Sequence, residues 1–393
     1  MSDRTISRRE FVAASALGVV GVAVRGGRAS GEGWQPGDQL LYIGGYTESG
    51  RMDGVHLVRM DVASGALRLV GSMNAGPNPS FLAIRPNGRT MYAVNELAEG
   101  GLSALAIDRI TGGLTPVGQQ LTHGADPCYV SLDRSGWVAL VANYTSGSVA
   151  LFPLNANGAL APAAVVDQHH GSGPNKERQE GPHAHCIVAD PSNRFALNTD
   201  LGLDRVFVYR LDARHGALQH VESSDAQMPP GSGPRHIAFH PTLPLVFVAS
   251  ELASTLTTLR FDRASGKLTV IDIRSTLPEG WRGTNLAADI HVAPSGSVLY
   301  VSNRGHNSVA VFSVSTRAGA VALEQTVSTA GDWPRNFSLD PTGRWLVVAN
   351  QRSGSINVLA RDPHTGHLAP TDQRLDVPAP SCVRFRASVG VTT

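Results

Sequence analysis

Phe81-Leu-Ala-Ile-Arg-Pro-Asn-Gly-Arg-Thr-Met-Tyr-Ala-Val-Asn95-Glu96 is an apolar run, a Pro-Asn-Gly turn, a second apolar run and a closing polar pair. It reads as two strands joined by a tight turn. The same pattern returns along the chain, ending at Asn143-Tyr144, Asp200-Leu201, Ser250-Glu251, Asn303-Arg304 and Asn350-Gln351, with turns such as Asp340-Pro341-Thr342-Gly343. A second repeat is interleaved with it. Asp-x-x-x-Gly-x-Leu occurs at Asp61-Gly65-Leu67, Asp108-Gly112-Leu114, Asp212-Gly216-Leu218, Asp262-Gly266-Leu268 and Asp362-Gly366-Leu368. Degenerate copies at Asn155-Gly158-Leu160 and Ser315-Gly319-Val321 bring the total to seven. The Asp carboxylate can bond the turn's own backbone while Gly takes the positive φ that closes the hairpin.

One repeat supplies the inner pair of strands and the other joins the outer pair, so each period is a four-stranded unit. A spacing of about 45–60 residues is that of propeller blades. The chain enters at Leu40-Leu-Tyr-Ile-Gly-Gly-Tyr46, a second strand, and leaves at Cys382-Val-Arg-Phe385, a first strand. One blade is therefore split between the termini. The expected fold is all-β: a seven-bladed β-propeller with four antiparallel strands per blade. Its C-terminal strand pairs with the N-terminal strands, closing the ring and removing exposed edges. Gly at 42, Pro at 24 and aromatics at 6% of 393 residues suit many short strands and tight turns. A β-sandwich pair is the alternative, but sandwiches do not repeat this evenly.

Lys plus Arg at 33 against Asp plus Glu at 32 gives a net charge of +1, too balanced for a nucleic-acid surface built on bulk charge. A small-molecule site with local charge is the expectation. At the N-terminus, Ser7-Arg8-Arg9-Glu10-Phe11-Val12 precedes an apolar run from Val12 to Val24, which resembles a twin-arginine export signal. The run is shorter than the roughly 20 residues of a membrane-spanning helix, so no stable membrane anchor is expected. We assign residues 1–29 to the signal, 30–38 to a linker and 39–388 to the propeller. The expected partner is the twin-arginine export machinery, and the expected location is periplasmic or secreted. Cys128, Cys186 and Cys382 are widely spaced, indicating neither a zinc site nor a disulfide frame.

In a propeller the same repeat position in each blade contributes to one ring of side chains. Counting seven residues back from each inner turn gives Ser80, Cys128, His185, Arg235, Ala288, Arg335 and Ser381. Counting to the end of each second strand gives Tyr46, Glu96, Tyr144, Leu201, Glu251, Arg304 and Gln351. Both rings face one mouth. Charge falls on one wall, at His185, Arg235, Glu251 and Arg304, where desolvation requires partners. The structural alternative is a salt-bridge network that clamps the blades. An insertion, Asp167 to Pro182, leads into His183-Ala184-His185 and should hang over the mouth. His183 and His185 share one side of a strand, but no third ligand supports a metal.

Gly171-Ser-Gly-Pro-Asn-Lys-Glu-Arg-Gln-Glu-Gly-Pro-His-Ala-His185 resembles the lactonase, or 6-phosphogluconolactonase-like, seven-bladed propellers. The likeness continues through Gly233-Pro234-Arg235-His236, Ser250-Glu251-Leu252, Ala288-Asp289-Ile-His291, Ser302-Asn303-Arg304-Gly305 and Pro334-Arg335-Asn336-Phe337. It implies a cofactor-free hydrolase acting on a small-molecule sugar lactone. A related branch, the fungal-type carboxymuconate cyclases, implies a catalytic His, two Arg and a Glu at positions matching His185, Arg235, Glu251 and Arg304. Arg235 and Arg304 would then hold a carbonyl, carboxylate or phosphate, with Glu251 or His185 as base and acid. Gln351, Arg335 and Glu96 are candidates for substrate hydroxyls. His183, Asp289 and Asn303, from the same motifs, complete the candidate substrate contacts. Two other functions use the same fold: a lactonising muconate-type cycloisomerase, and a non-catalytic cell-surface propeller that binds a wall component.

Overall fold

The computed structural model describes residues 38–47, 53–315 and 320–386. The expected export signal, the linker up to residue 37, Gly319 of one degenerate turn and residues 387–388 lie outside the described residues. Among the described residues there are seven antiparallel sheets arranged as a β-propeller. Blades one to six span residues 82–121, 127–168, 184–227, 234–275, 286–328 and 334–376. Blade seven is the split one. Pro380–Phe385 pairs antiparallel with Gln39–Gly45, with Leu41 opposite Phe385 and Gly44 opposite Cys382, ahead of Val55–Met60 and Leu67–Met73.

Burial follows position in the blade. The second strand Thr90–Asn95 is buried at every residue, whereas the outermost strand Leu114–Leu121 alternates between exposed and half-buried. The apolar core lies between blades: Leu41, Ile43 and Val58 of blade seven pack with Val347, Ile356 and Val358 of blade six. Hairpin tips add a polar clasp. Tyr42, Tyr92 and Tyr300 donate their hydroxyls to the turn carbonyls of Gly112, Gly158 and Gly366 in the next blade, each at 2.8 Å. Trp345 Nε1 does the same to Val62 at 2.8 Å.

The Asp-Gly turns form as their chemistry dictates. Asp262 Oδ1 accepts from Ala264 N at 2.7 Å, and Gly266 has a φ of 80°. The degenerate copy at Asn155 departs from the expected continuous hairpin. It is reduced to an isolated bridge, Leu154 to Leu160, and the fourth strand starts only at Val165. Pro162 lies between and has no N–H to give a ladder. In blade three the fourth strand is also short, and Ala226–Gln227 pairs back onto Arg205 and Val206.

Candidate active site at the channel mouth

Two local features bring the rings together. The first is a β-bulge in the innermost strand. Pairing skips Cys128, His185, Arg235, Arg335 and Ser381, and in blade five it skips Ala288 and Asp289. A bulged residue leaves the ladder, and its side chain is re-aimed. The second is a repeated backbone bond that ties each second-ring residue to the chain just before the first-ring residue. Glu96 N donates to Asn78 O, Tyr144 N to Asp126 O, Leu201 N to His183 O, Glu251 N to Gly233 O and Gln351 N to Trp333 O. The residue in that position adopts a positive φ at Asn78, Asp126, Gly233, Trp333 and Ala379, each followed by Pro.

Glu251 is the centre of the charged wall. Its Oε2 accepts from Arg235 Nε at 3.1 Å and from Arg304 Nη2 at 2.6 Å. Its Oε1 accepts from Arg178 Nη2 at 2.6 Å. The first two guanidinium groups are buried and also fixed by backbone: Arg235 Nη1 to Ala288 O at 2.9 Å, Arg304 Nη2 to Ala287 O at 3.2 Å. Burial alone would raise the Glu251 pKa, but Arg304, Arg235 and Arg178 overcome it and hold the carboxyl far below its ordinary value.

His185 stands beside this group, one ring away. Its imidazole meets Tyr144 edge-on at 5.5 Å and His236 at 5.3 Å between centroids. Tyr144 in turn accepts from Arg178 Nη2 at 3.3 Å, and His236 Nε2 accepts from Arg235 Nη1 at 3.1 Å. Burial, then the charges of Arg235, His236 and Arg335, push the His185 pKa well below the ordinary imidazole value. The ring is neutral at physiological pH. His236 is lowered to about 3, again chiefly by burial and Arg235.

The opposite wall holds a second group. Arg335 Nη2 donates to Tyr46 Oη at 2.8 Å, and Tyr46 and Ser80 both donate to the Glu96 carboxylate. Gln351 Oε1 is buried with no hydrogen-bond partner among the described residues. Beneath the mouth, Phe81, Tyr129 and His236 form an aromatic plug with centroid separations of 4.2, 5.8 and 5.1 Å. At the far end of the channel, a cavity of about 530 Å³ is lined by Arg85, Arg134 and Arg384.

The other three candidate substrate contacts are bonded to neighbouring protein groups. Asn303 donates to Thr276 O and accepts from Thr276 Oγ1 and Asn285 Nδ2. It belongs to a repeated structural position, since Asn95, Asn143 and Asn350 donate to the carbonyls of Ala75, Thr122 and Thr329 in the same way. Asp289 is a buried hub. His236 Nδ1, His291 Nε2, Asn336 Nδ2 and Phe337 N all donate to it, at 2.7, 3.0, 2.5 and 3.2 Å. His183 stacks on Tyr144 at 4.5 Å, donates to Tyr144 O at 3.1 Å and pairs with Glu180 at 3.2 Å. Among the described residues no group of three or more His, Cys, Asp or Glu side chains is arranged to hold a metal.

Two residues at the mouth were not singled out by ring counting. Arg178 lies in the non-repeating insertion, where no ring position predicts it. Trp333 lies two residues before Arg335 and packs under the guanidinium groups of Arg304, at 5.4 Å, and Arg352, at 3.4 Å. Its signal was present as the residue before the recurrent Pro of the first strand.

The profile described as "Lactonase, 7-bladed beta-propeller" matches residues 40–385. The 6-phosphogluconolactonase of Bacillus subtilis is 36% identical over 348 residues, covering 88% of this chain and 97% of its own. That of Formosa agariphila is 31% identical, covering 88% and 99%. Among solved structures, the periplasmic gluconolactonase of Pseudomonas aeruginosa is 33% identical with a TM-score of 0.84, covering 89% of this chain and 99% of its own. By profile, identity and blade count alike, this chain belongs to the lactonase family of seven-bladed β-propellers.

Proposed function

We infer that the chain is an enzyme, a carboxylic ester hydrolase that opens a sugar lactone at the propeller mouth. The observation that carries this reading is a buried carboxylate gripped by guanidinium groups beside a neutral imidazole. It occurs in a chain whose relatives are named 6-phosphogluconolactonase. In the reaction, water adds to the lactone carbonyl carbon, the ring C–O bond breaks and the ring oxygen leaves as a hydroxyl. His185 takes the proton from water and returns it to the ring oxygen. A depressed imidazole pKa makes the transient imidazolium a strong acid toward the departing alkoxide. Arg235 and Arg304 offer N–H donors to the carbonyl oxygen as negative charge develops there.

Glu251 has a different part. A carboxylate held ionised by three guanidinium groups is a poor base, so its task is to fix Arg235 and Arg304. Of the two residues expected to share acid–base work, His185 is the better placed proton carrier, because its neutral imidazole is bonded to no guanidinium among the described residues. Gln351, Arg335 and Glu96 line the side where substrate hydroxyls would sit. The test is a panel of neutral and phosphorylated sugar lactones and a muconate, assayed with purified chain in the presence of chelator. Lactone opening that survives the chelator supports the reading, whereas turnover of the muconate alone assigns the chain to the cycloisomerases.

We further propose that residues 1–29 direct export by the twin-arginine route and that the mature protein works in the periplasm or beyond it. The motif Arg8-Arg9 with its apolar run supports this, as does the periplasmic location in the name of the Pseudomonas aeruginosa relative. Among the described residues no helix is long and apolar enough to cross a membrane. Replacing Arg8 and Arg9 by Lys should leave the protein in the cytosol with Met1 retained; unchanged export would contradict the assignment.

A further inference from the structure

The three guanidinium groups on Glu251 are not equivalent. The side chains of Arg235 and Arg304 are 3% and 4% exposed and are anchored by backbone carbonyls, while that of Arg178 is 36% exposed. Arg178 makes both its contacts, Glu251 Oε1 and Tyr144 Oη, through Nη2. Its Nε and Nη1 make no hydrogen bond to another described residue. The backbone beneath it is firmly built. Asn175 Oδ1 accepts from the amides of Glu177 and Arg178, and Gln179, fully buried, donates to Leu201 O at 2.8 Å and accepts from Asn175 N at 3.1 Å. A fixed platform therefore carries a side chain that reaches over the mouth and can turn.

Electrostatics gives that turn a direction. Arg178, Arg235 and Arg304 converge on Glu251, while Arg335 reaches Glu96 only through the Tyr46 hydroxyl, so guanidinium outnumbers carboxylate around the mouth. A partly exposed pair exchanges partners at little cost, whereas stripping Arg235 or Arg304 would leave a buried charge unpaired. Glu251 needs only those two to remain satisfied on Oε2. Resting on the lactonase reading above, we propose that Arg178 is the specificity-determining residue for lactones bearing an anionic group, phosphate or carboxylate, remote from the ester. It leaves Glu251 Oε1 to pair with that group. The move frees Oε1 to accept from a substrate hydroxyl, so recognition of the remote anion and positioning of the ring are coupled. Planar guanidinium suits either anion, because two N–H groups can face two oxygens.

The test compares wild type with Arg178→Gln and Arg178→Lys on three lactones: glucono-lactone, its 6-phosphate and the monolactone of a hexaric acid, which keeps one free carboxylate. The expected result is a fall of about tenfold or more in the ratio of kcat/KM for each anionic lactone to that for the neutral one. The fall should be carried by KM and partly recovered in the Lys variant. A fall confined to the phosphate or to the carboxylate arm identifies the anion the site reads. An unchanged ratio overturns the proposal. Calorimetric binding of 6-phosphogluconate against gluconate gives a readout independent of turnover. If wild type opens no lactone, the activity reading fails, but loss of a phosphate preference in Arg178→Gln still supports the role of Arg178. Equal affinities in wild type and variant overturn it.

Discussion

Glu251 and Arg178 form the same kind of bond, yet substitution should separate them sharply. Glu251→Gln leaves Arg235 and Arg304 buried without their counter-charge, and breaking such a pair costs about 3–5 kcal/mol. Arg178→Gln should cost less than about 1 kcal/mol, because water replaces what is lost. Urea denaturation midpoints check both. His185 and His236 are kept neutral by burial, with folded pKa values below the unfolded value of about 6.5. Below that pH the unfolded chain binds protons that the folded chain refuses, so stability is lost as the medium is acidified. Each fully titrating histidine contributes about 1.4 kcal/mol per pH unit. His185→Gln should flatten the stability profile between about pH 6.5 and 5. For the same reason kcat/KM of the wild type should run level through pH 6.5; a limb centred there would show His185 to be an ordinary imidazole. The ring positions of these residues were legible because blades repeat. The same regularity accounts for the bonds of Asn303, since an Asn recurring at 95, 143 and 350 donates to a backbone carbonyl in each of those blades.

Turns and bulges act one level up. Gly266 has a φ of 80°, and a Cβ there would lie 2.7 Å from the Phe195 ring, whereas a Cβ at Gly71 meets nothing. Gly266→Ala should therefore cost more than about 1–2 kcal/mol, and Gly71→Ala close to none, in thermal or chemical unfolding. Tyr300→Phe removes both a bond to Gly366 O and the acceptor for Arg361 Nε, at 2.8 and 2.7 Å, with an expected cost of about 1–3 kcal/mol. Hairpins were readable because turn chemistry is local: an Asp and a Gly at fixed offsets suffice. The bulges that aim His185 and Arg235 into the mouth were not, because register depends on the partner strand. Arg178 was hidden for a related reason, since an insertion belongs to no repeat.

At the scale of the molecule, one strand closes the ring. Pro380–Phe385 supplies the innermost strand of blade seven, and Asn336 Oδ1 in blade six accepts from its Val383 N at 2.7 Å. Removing residues 380–393 would expose Gln39–Gly45 as an edge and the core between blades six and seven. Such a truncation should aggregate or unfold, as light scattering and size-exclusion chromatography would show; a monomeric, cooperatively folding product would mean that closure is dispensable. The split blade was legible from the phase of the repeats at the two ends, which needs no knowledge of packing. Closure brings residues 178, 185, 235, 251 and 304 around one opening, and catalysis at that opening is the central claim. Its most direct measurement is the rate of hydroxy-acid formation from a sugar lactone by wild type, His185→Ala and Glu251→Gln, each verified as folded by circular dichroism. Rapid opening by wild type and losses of about 100-fold or more in both variants are expected. Folded variants that open the lactone at the wild-type rate would contradict that claim.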